Sequence, residues 1–180
     1  GGKYYTPYTV YRIEDNDGNV IYDYQQNHSE EQAISFDTAT IMNKLLHLPI
    51  NGTDTDAYPT ANMVRRDDLD QIGKTGTTED SNDVWYMGGT TAFVCGIWNG
   101  HEYKEEIYDT NSVKKMYNGI IDWMEANYYD FLHSGSYVLS DNVVQLSYCR
   151  DSGLRPGPNC VHIANGWYSQ NNIPRTCDGG

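Results

Sequence analysis

Lys74-Thr75-Gly76-Thr77-Thr78 is the stretch of this 180-residue chain whose residue types and spacing could do chemistry. It follows Leu69-Asp-Gln-Ile-Gly73, a run that enters a strand. A glycine stands on each side of the Lys-Thr pair, and a residue without a side chain lets a second backbone approach closely. Lys74 supplies a fixed positive charge, and Thr75, Thr77 and Thr78 supply short hydroxyls. An edge strand built this way can hydrogen-bond an extended peptide and hold its carboxylate. Two other groups spell nucleophile chemistry: Ser112-Val-Lys-Lys115, with a serine three residues before a lysine, and Ser140-Asp-Asn142. In local context Ser112 reads as the cap of a helix, and Lys114 and Lys115 as solvated helix charges.

The elements that position these residues are predicted from periodicity and turn chemistry. Residues 4–24 read as a β-hairpin. Tyr4, Tyr8, Val10, Tyr11 and Ile13 favour a strand, Glu14-Asp-Asn-Asp-Gly18 makes the turn, and Asn19-Val-Ile-Tyr-Asp-Tyr24 returns. Residues 25–32 are polar and read as a loop. Residues 36–48 read as a helix with an apolar stripe of Ile41, Met42, Leu45 and Leu46, capped by Ser35 or Asp37 and ended by Pro49. Residues 51–68 are turn-like, and Asn51-Gly-Thr53 has the pattern of a glycosylation sequon, a triplet common by chance. The motif strand, 69–78, leads through a polar turn to two more strands, 84–87 and 91–98, around Gly88-Gly89. Residues 111–127 are the clearest helix, with Val113, Met116, Tyr117, Ile120, Ile121 and Met124 at helical spacing and Asn111 or Ser112 as cap. From about residue 134 short strand-like pieces alternate with Gly/Pro/Asn loops, so the chain divides into 1–133 and a small appended segment, 134–180. The expected class is α+β: antiparallel strands packed against helices, plus a loop-rich, cysteine-bearing tail.

Composition narrows the function classes. The chain is 38% hydrophobic and 13% aromatic, which suffices for a core and argues against wholesale disorder. A formal charge of −13 repels a phosphate backbone, so nucleic acid is excluded as a partner. No apolar run approaches the roughly 20 residues that span a bilayer. The chain opens on Gly1-Gly2-Lys3-Tyr4-Tyr5 rather than on a signal peptide, so the targeting segment of an anchored or secreted parent is expected outside it. Cys95 lies in an apolar run and reads as a small core residue. Cys149, Cys160 and Cys177 crowd into the loop-rich tail, where a disulfide would supply stability that a small core cannot. Three single pairings stay open. No C-x-x-C pair exists and His162 is the one nearby histidine, so neither a metal nor a cofactor is expected.

The order of these features resembles a family. K-T-G is one of three signatures of penicillin-recognising serine enzymes, with S-x-x-K and an S-x-N type motif. The chain resembles the C-terminal half of the transpeptidase domain of class A, bifunctional penicillin-binding proteins. Gly1-Gly2, Pro7 and the hairpin with Asp15-Asn-Asp-Gly-Asn-Val-Ile21 resemble the stretch after the family's S-x-N motif, and residues 33–46 the helix beyond that stretch. Gly73-Lys-Thr-Gly-Thr-Thr78 matches the third motif, and Asp83-Val-Trp-Tyr-Met-Gly88 and Gly96-Ile-Trp-Asn-Gly100 resemble the strands beyond it. Tyr148-Cys-Arg-Asp-Ser-Gly153, with Cys160 and Cys177, resembles the tail of many members. Glu79 stands where the family often has asparagine, and Gly88-Gly-Thr-Thr91 where it commonly has Gly-Tyr-Thr-Pro.

The resemblance implies a partial penicillin-binding transpeptidase fold and serine acyl transfer. A serine with a nearby lysine attacks the D-Ala-D-Ala bond of a peptidoglycan stem peptide, and an amine from a neighbouring stem resolves the acyl-enzyme. β-Lactams acylate the same serine. The resemblance assigns Lys74, Thr75, Gly76, Thr77 and Thr78 to substrate binding, with the Thr78 backbone N–H in the oxyanion hole. It implies no cofactor and a place on the extracellular face of the bacterial cytoplasmic membrane. The family's motif order is S-x-x-K, S-x-N, K-T-G. Here K-T-G comes first, and the residues before Lys74 already resemble the family's stretch downstream of the true S-x-N. Ser112, Lys115 and Ser140-Asp-Asn142 are therefore expected to be non-catalytic. The nucleophile serine and base lysine are expected in the N-terminal half of the same domain, and this chain alone to be inactive. A rival reading is a non-catalytic extracellular module that binds cell-wall glycans through Trp85, Trp98, Trp123 and Trp167, three of which sit in core-like patterns.

Overall fold

The computed structural model describes residues 1–52 and 58–178; Thr53 of the sequon lies outside them. The N-terminal part carries short strands β1 (Lys3–Tyr5), β2 (Arg12–Glu14), β3 (Val20–Asp23) and β4 (Glu30–Gln32), with one helical turn, α1 (Tyr24–Asn27), before β4. β2 and β3 form the expected hairpin. Its turn is tied by Asp15, whose carboxylate accepts the N–H groups of Asp17 at 2.9 Å and Asn19 at 2.8 Å, while Gly18 takes φ 83°. Residues 3–5 do not join that hairpin. β1 pairs with β4, so the segment expected as a loop holds a helical turn and a strand. Asp23 caps the turn by accepting from Gln25 N–H, and Lys3 meets Glu30 at 2.7 Å. Strands so polar carry no apolar alternation, which is why periodicity does not reveal them.

α2 (Phe36–Asn51) starts at Ser35, which accepts the Thr38 N–H at 3.1 Å. Pro49 does not end it. In the last turn a proline removes one i→i−4 bond, and the Gly52 N–H still closes on Leu48 O at 2.8 Å. Next comes an antiparallel sheet, in spatial order β5 (Ile72–Thr77), β6 (Asp83–Gly89), β7 (Val94–Gly100). Gly88 and Gly89, expected at the turn between strands, lie inside β6 opposite Gly73 and Ile72; the turn is at 90–93, where the Thr90 N–H bonds Phe93 O at 3.0 Å. The buried ring of Tyr86 lies over Gly73 and Gly88, so these glycines are packing sites.

α3 (Ser112–Asn127) covers one face of the sheet. Val113, Tyr117, Ile121 and Met124 form its buried stripe and join Val84, Tyr86 and Ile97 in the core, with Leu132 from the short α4 (Tyr129–Leu132) and Ile50 from α2. Tyr86 and Tyr117 meet edge to face at 4.8 Å. Gly119 lies on the exposed side, where an added Cβ meets nothing within 4 Å. Gly119→Ala is therefore expected to stabilise the chain by about 1 kcal/mol, read as a rise of about 2–4 °C in Tm.

The last elements are β8 (Val143–Cys149) and β9 (Ile163–Ser169), an antiparallel hairpin docked on α2. The dock is Asp37. Its carboxylate accepts Ser140 Oγ at 2.6 Å, Ser169 Oγ at 2.6 Å and Asn142 Nδ2 at 2.5 Å. Asp37 thus links segments rather than capping the helix. Those bonds, Ser140's the strongest, hold its carboxyl below the usual value of 3.8. A pKa depressed in the folded state gives stabilisation that is present above 3.8 and lost as pH falls through the lower folded value. Asp37→Ala at neutral pH is expected to speed amide exchange across β8 and β9 while leaving α3 unchanged, and lowering the pH of the unsubstituted chain below 3.8 to do the same. No described helix is long and apolar enough to cross a membrane.

Candidate substrate-binding strand

β5 is an edge strand, with β6 on one side and, among the described residues, no strand paired on the other. Register decides which backbone groups face that opening. The Thr78 N–H bonds Asp83 O at 3.1 Å, and the pairs Gly76–Trp85 and Lys74–Met87 continue the same phase. Bonding alternates along an antiparallel strand, so 74, 76 and 78 direct their backbone groups to β6, and 73, 75 and 77 direct theirs to the open edge.

The backbone N–H expected as the oxyanion donor, that of Thr78, has a partner within the sheet. The Thr78 N–H is committed to Asp83, and its hydroxyl accepts the Asp83 N–H at 2.8 Å. The pair closes the β5–β6 turn, in which Asp80 and Ser81 take positive φ of 57° and 52°. Alternation directs the Thr77 N–H to the edge instead. A known turn length would have revealed this, because it places Thr78 opposite Asp83.

The other motif residues do converge on the edge. Lys74 lies on the sheet face away from α3 and donates from Nζ to Thr75 O at 2.6 Å, a carbonyl that belongs to the open edge. Thr75 donates from Oγ1 to Thr60 Oγ1 at 3.0 Å. At Gly76 a Cβ would stand 3.3 Å from Trp85 Cβ, and Thr77 is exposed. The strand therefore presents one ammonium, exposed hydroxyls and three edge N–H groups, those of Gly73, Thr75 and Thr77. That set can grip a carboxylate and polarise a carbonyl. At the Thr78 end the neighbouring groove is lined by Glu79, Asp83 and Glu102 together with His101 and Lys104, so negative charge accumulates away from Lys74.

Ser112 and Lys115 are engaged with other partners. Ser112 Oγ accepts Asn99 Nδ2 at 2.8 Å, and Lys115 Nζ pairs with Asp109 at 2.8 Å. Neither Asn111 nor Ser112 caps α3 through its side chain. Ser140 and Asn142 are engaged on Asp37. Trp85 and Trp98, in core-like patterns by sequence, are 44% and 48% exposed, their rings 6.3 Å apart on the face away from α3. Trp123 is exposed on α3, and Trp167 lies beneath Lys44, whose Nζ is 4.7 Å from the ring. A strand apolar on both faces reads as buried even when one face is open. The sulfurs of Cys149, Cys160 and Cys177 lie within 4.8 Å of one another.

Edge strand, helix-backed sheet and docked tail together define the class: this is the fold of part of a penicillin-binding protein. Its likeness to the crystal structure of penicillin-binding protein 1A from Haemophilus influenzae covers 98% of this chain and 31% of that one, with a TM-score of 0.66 and 21% identity. Penicillin-binding protein 1A of Clostridium acetobutylicum is 28% identical over 127 residues, which are 70% of this chain and 15% of that protein. Penicillin-binding protein 2D of Bacillus subtilis is 30% identical over 110 residues, 59% of this chain and 15% of that protein. No protein-family model matches. The chain is thus similar to penicillin-binding proteins of the 1A type and spans less than a fifth of the length of these curated relatives.

Proposed function

We propose that residues 1–133 are the C-terminal, substrate-side half of a peptidoglycan D,D-transpeptidase domain on the outer face of the bacterial cytoplasmic membrane, with 134–180 as an appended segment. The observation that carries this reading is the open edge of β5, with Lys74 beside it and the Thr77 N–H directed along it. A stem peptide ending in D-Ala-D-Ala, or a β-lactam, adds to that edge. Lys74 holds its carboxylate and the Thr77 N–H its acyl oxygen, while serine and lysine come from the N-terminal half of the domain.

Fluorescent penicillin tests this. The isolated chain is expected to take no covalent label. Joined to the N-terminal half it is expected to label, and to keep the label on Ser112→Ala. Label on the isolated chain that disappears with Ser112→Ala would overturn the division of labour. The exposed Trp85–Trp98 pair favours a second reading, a glycan-binding surface. It predicts a change in tryptophan fluorescence when peptidoglycan oligosaccharides are added to the isolated chain; the transpeptidase reading predicts none, because it assigns ligand binding to the β5 edge and not to that face.

A further inference from the structure

The tail has almost no hydrocarbon core. Between Val143 and Asp178 the buried side chains are Cys149, Ala164 and Cys177, so sulfur sits where a larger segment would place leucine. A segment this poor in apolar burial needs a covalent or metal cross-link. Its turns converge on the three thiols. The Gly153 N–H returns to Cys149 O at 2.8 Å, the Cys177 N–H bonds Arg155 O at 2.8 Å, and the Cys160 N–H bonds Gly157 O at 3.2 Å.

A donor also points at the sulfurs: the Gly157 N–H reaches Cys160 Sγ at 3.3 Å. The spacing agrees. Three sulfurs at about 2.3 Å from a tetrahedral ion stand about 3.8 Å apart, whereas a disulfide brings two of them to about 2.05 Å. Here Cys160 and Cys177 are 3.1 Å apart and all three lie within 4.8 Å. The sequence argued against metal because it lacks a C-x-x-C pair; the fold assembles the ligands from three separate turns.

We propose that Cys149, Cys160 and Cys177 form a three-thiolate site for a borderline-soft divalent cation of the zinc type. Cys160, half exposed, marks the side on which the ion enters and a fourth ligand binds. His162 pairs with Asp151 at 3.2 Å instead of joining the sulfurs. Binding displaces the thiol protons into solvent and leaves the oxidation state of sulfur unchanged. The site stands apart from the transpeptidase reading, since none of its residues touches β5.

Cobalt(II) is the probe. The full chain, reduced and metal-free, is expected to take one equivalent of Co²⁺, with a sulfur-to-cobalt charge-transfer band in the near ultraviolet and strong visible bands that Zn²⁺ abolishes. Cys160→Ser, which replaces the half-exposed ligand, is expected to weaken Co²⁺ binding at least tenfold; Cys95→Ser leaves it unchanged. Folding of each variant is checked by near-ultraviolet circular dichroism. A reduced, folded wild-type chain that shows no charge-transfer band overturns the proposal, whether peptide mapping then finds thiols or a disulfide. So does a band undiminished by Cys160→Ser.

Discussion

Lys74→Ala, in the chain joined to the half that supplies the serine, is expected to slow acylation by penicillin about 100- to 1000-fold, the cost of deleting one preorganised charged or oxyanion-hole donor. Neither lysine of α3 replaces it: Lys114 donates to Thr60 O at 3.0 Å, and Lys115 is paired with Asp109. Among the described residues Lys74 donates to an exposed backbone carbonyl and pairs with no carboxylate, so the free strand holds its charge near the edge. Stability should not change, because the side chain lies on the exposed face. Stopped-flow acylation beside a denaturation curve separates these effects. An unaltered acylation rate would remove Lys74 from the site.

A proline pair tests the register. At 77 the lost N–H faces the open edge, where strands tolerate proline; at 78 the lost N–H holds Asp83. Thr77→Pro is expected to slow acylation about 100-fold with a small loss of stability, and Thr78→Pro to cost mainly stability. The opposite pattern would restore Thr78 as the oxyanion donor.

The range over which each physical signal acts decides whether sequence reveals it. The Asp15 turn, the α3 stripe and the motif strand were legible because turn chemistry and apolar period act over a few residues. The pairing of β1 with β4 was not, because exposed polar strands leave no period to count. The phase of β5 was hidden for another reason. Composition says that 74–78 is a strand, but only the Thr78–Asp83 turn says which residues face β6, and a slip of one residue exchanges the two sets. The convergence of Cys149, Cys160 and Cys177 depends on contacts across 28 residues, counting from 149 to 177, and no local spacing encodes it.

Gly88→Ala is expected to be among the most damaging single methyl additions to the chain, at about 3 kcal/mol. The new Cβ would stand 2.5 Å from Tyr86 Cε1, 2.7 Å from its Oη and 2.8 Å from its Cζ. The ring cannot step aside: it is fully buried, with Tyr117 edge-on at 4.8 Å and Gly73 beneath its hydroxyl. At Gly73 the atom that an added Cβ meets first is Tyr86 Oη, whereas at Gly88 it is ring carbon. That hydroxyl is buried without a hydrogen-bond partner, so Tyr86→Phe alone should cost little. The double variants then separate. Tyr86→Phe should recover part of the loss at Gly73→Ala and almost none at Gly88→Ala, a difference that urea denaturation of the full cycle resolves. Equal rescue at both sites, or a Gly88→Ala midpoint within about 0.5 kcal/mol of the parent, would mean that the ring is free to move. The sheet that presents Lys74 would then not be held by this tyrosine.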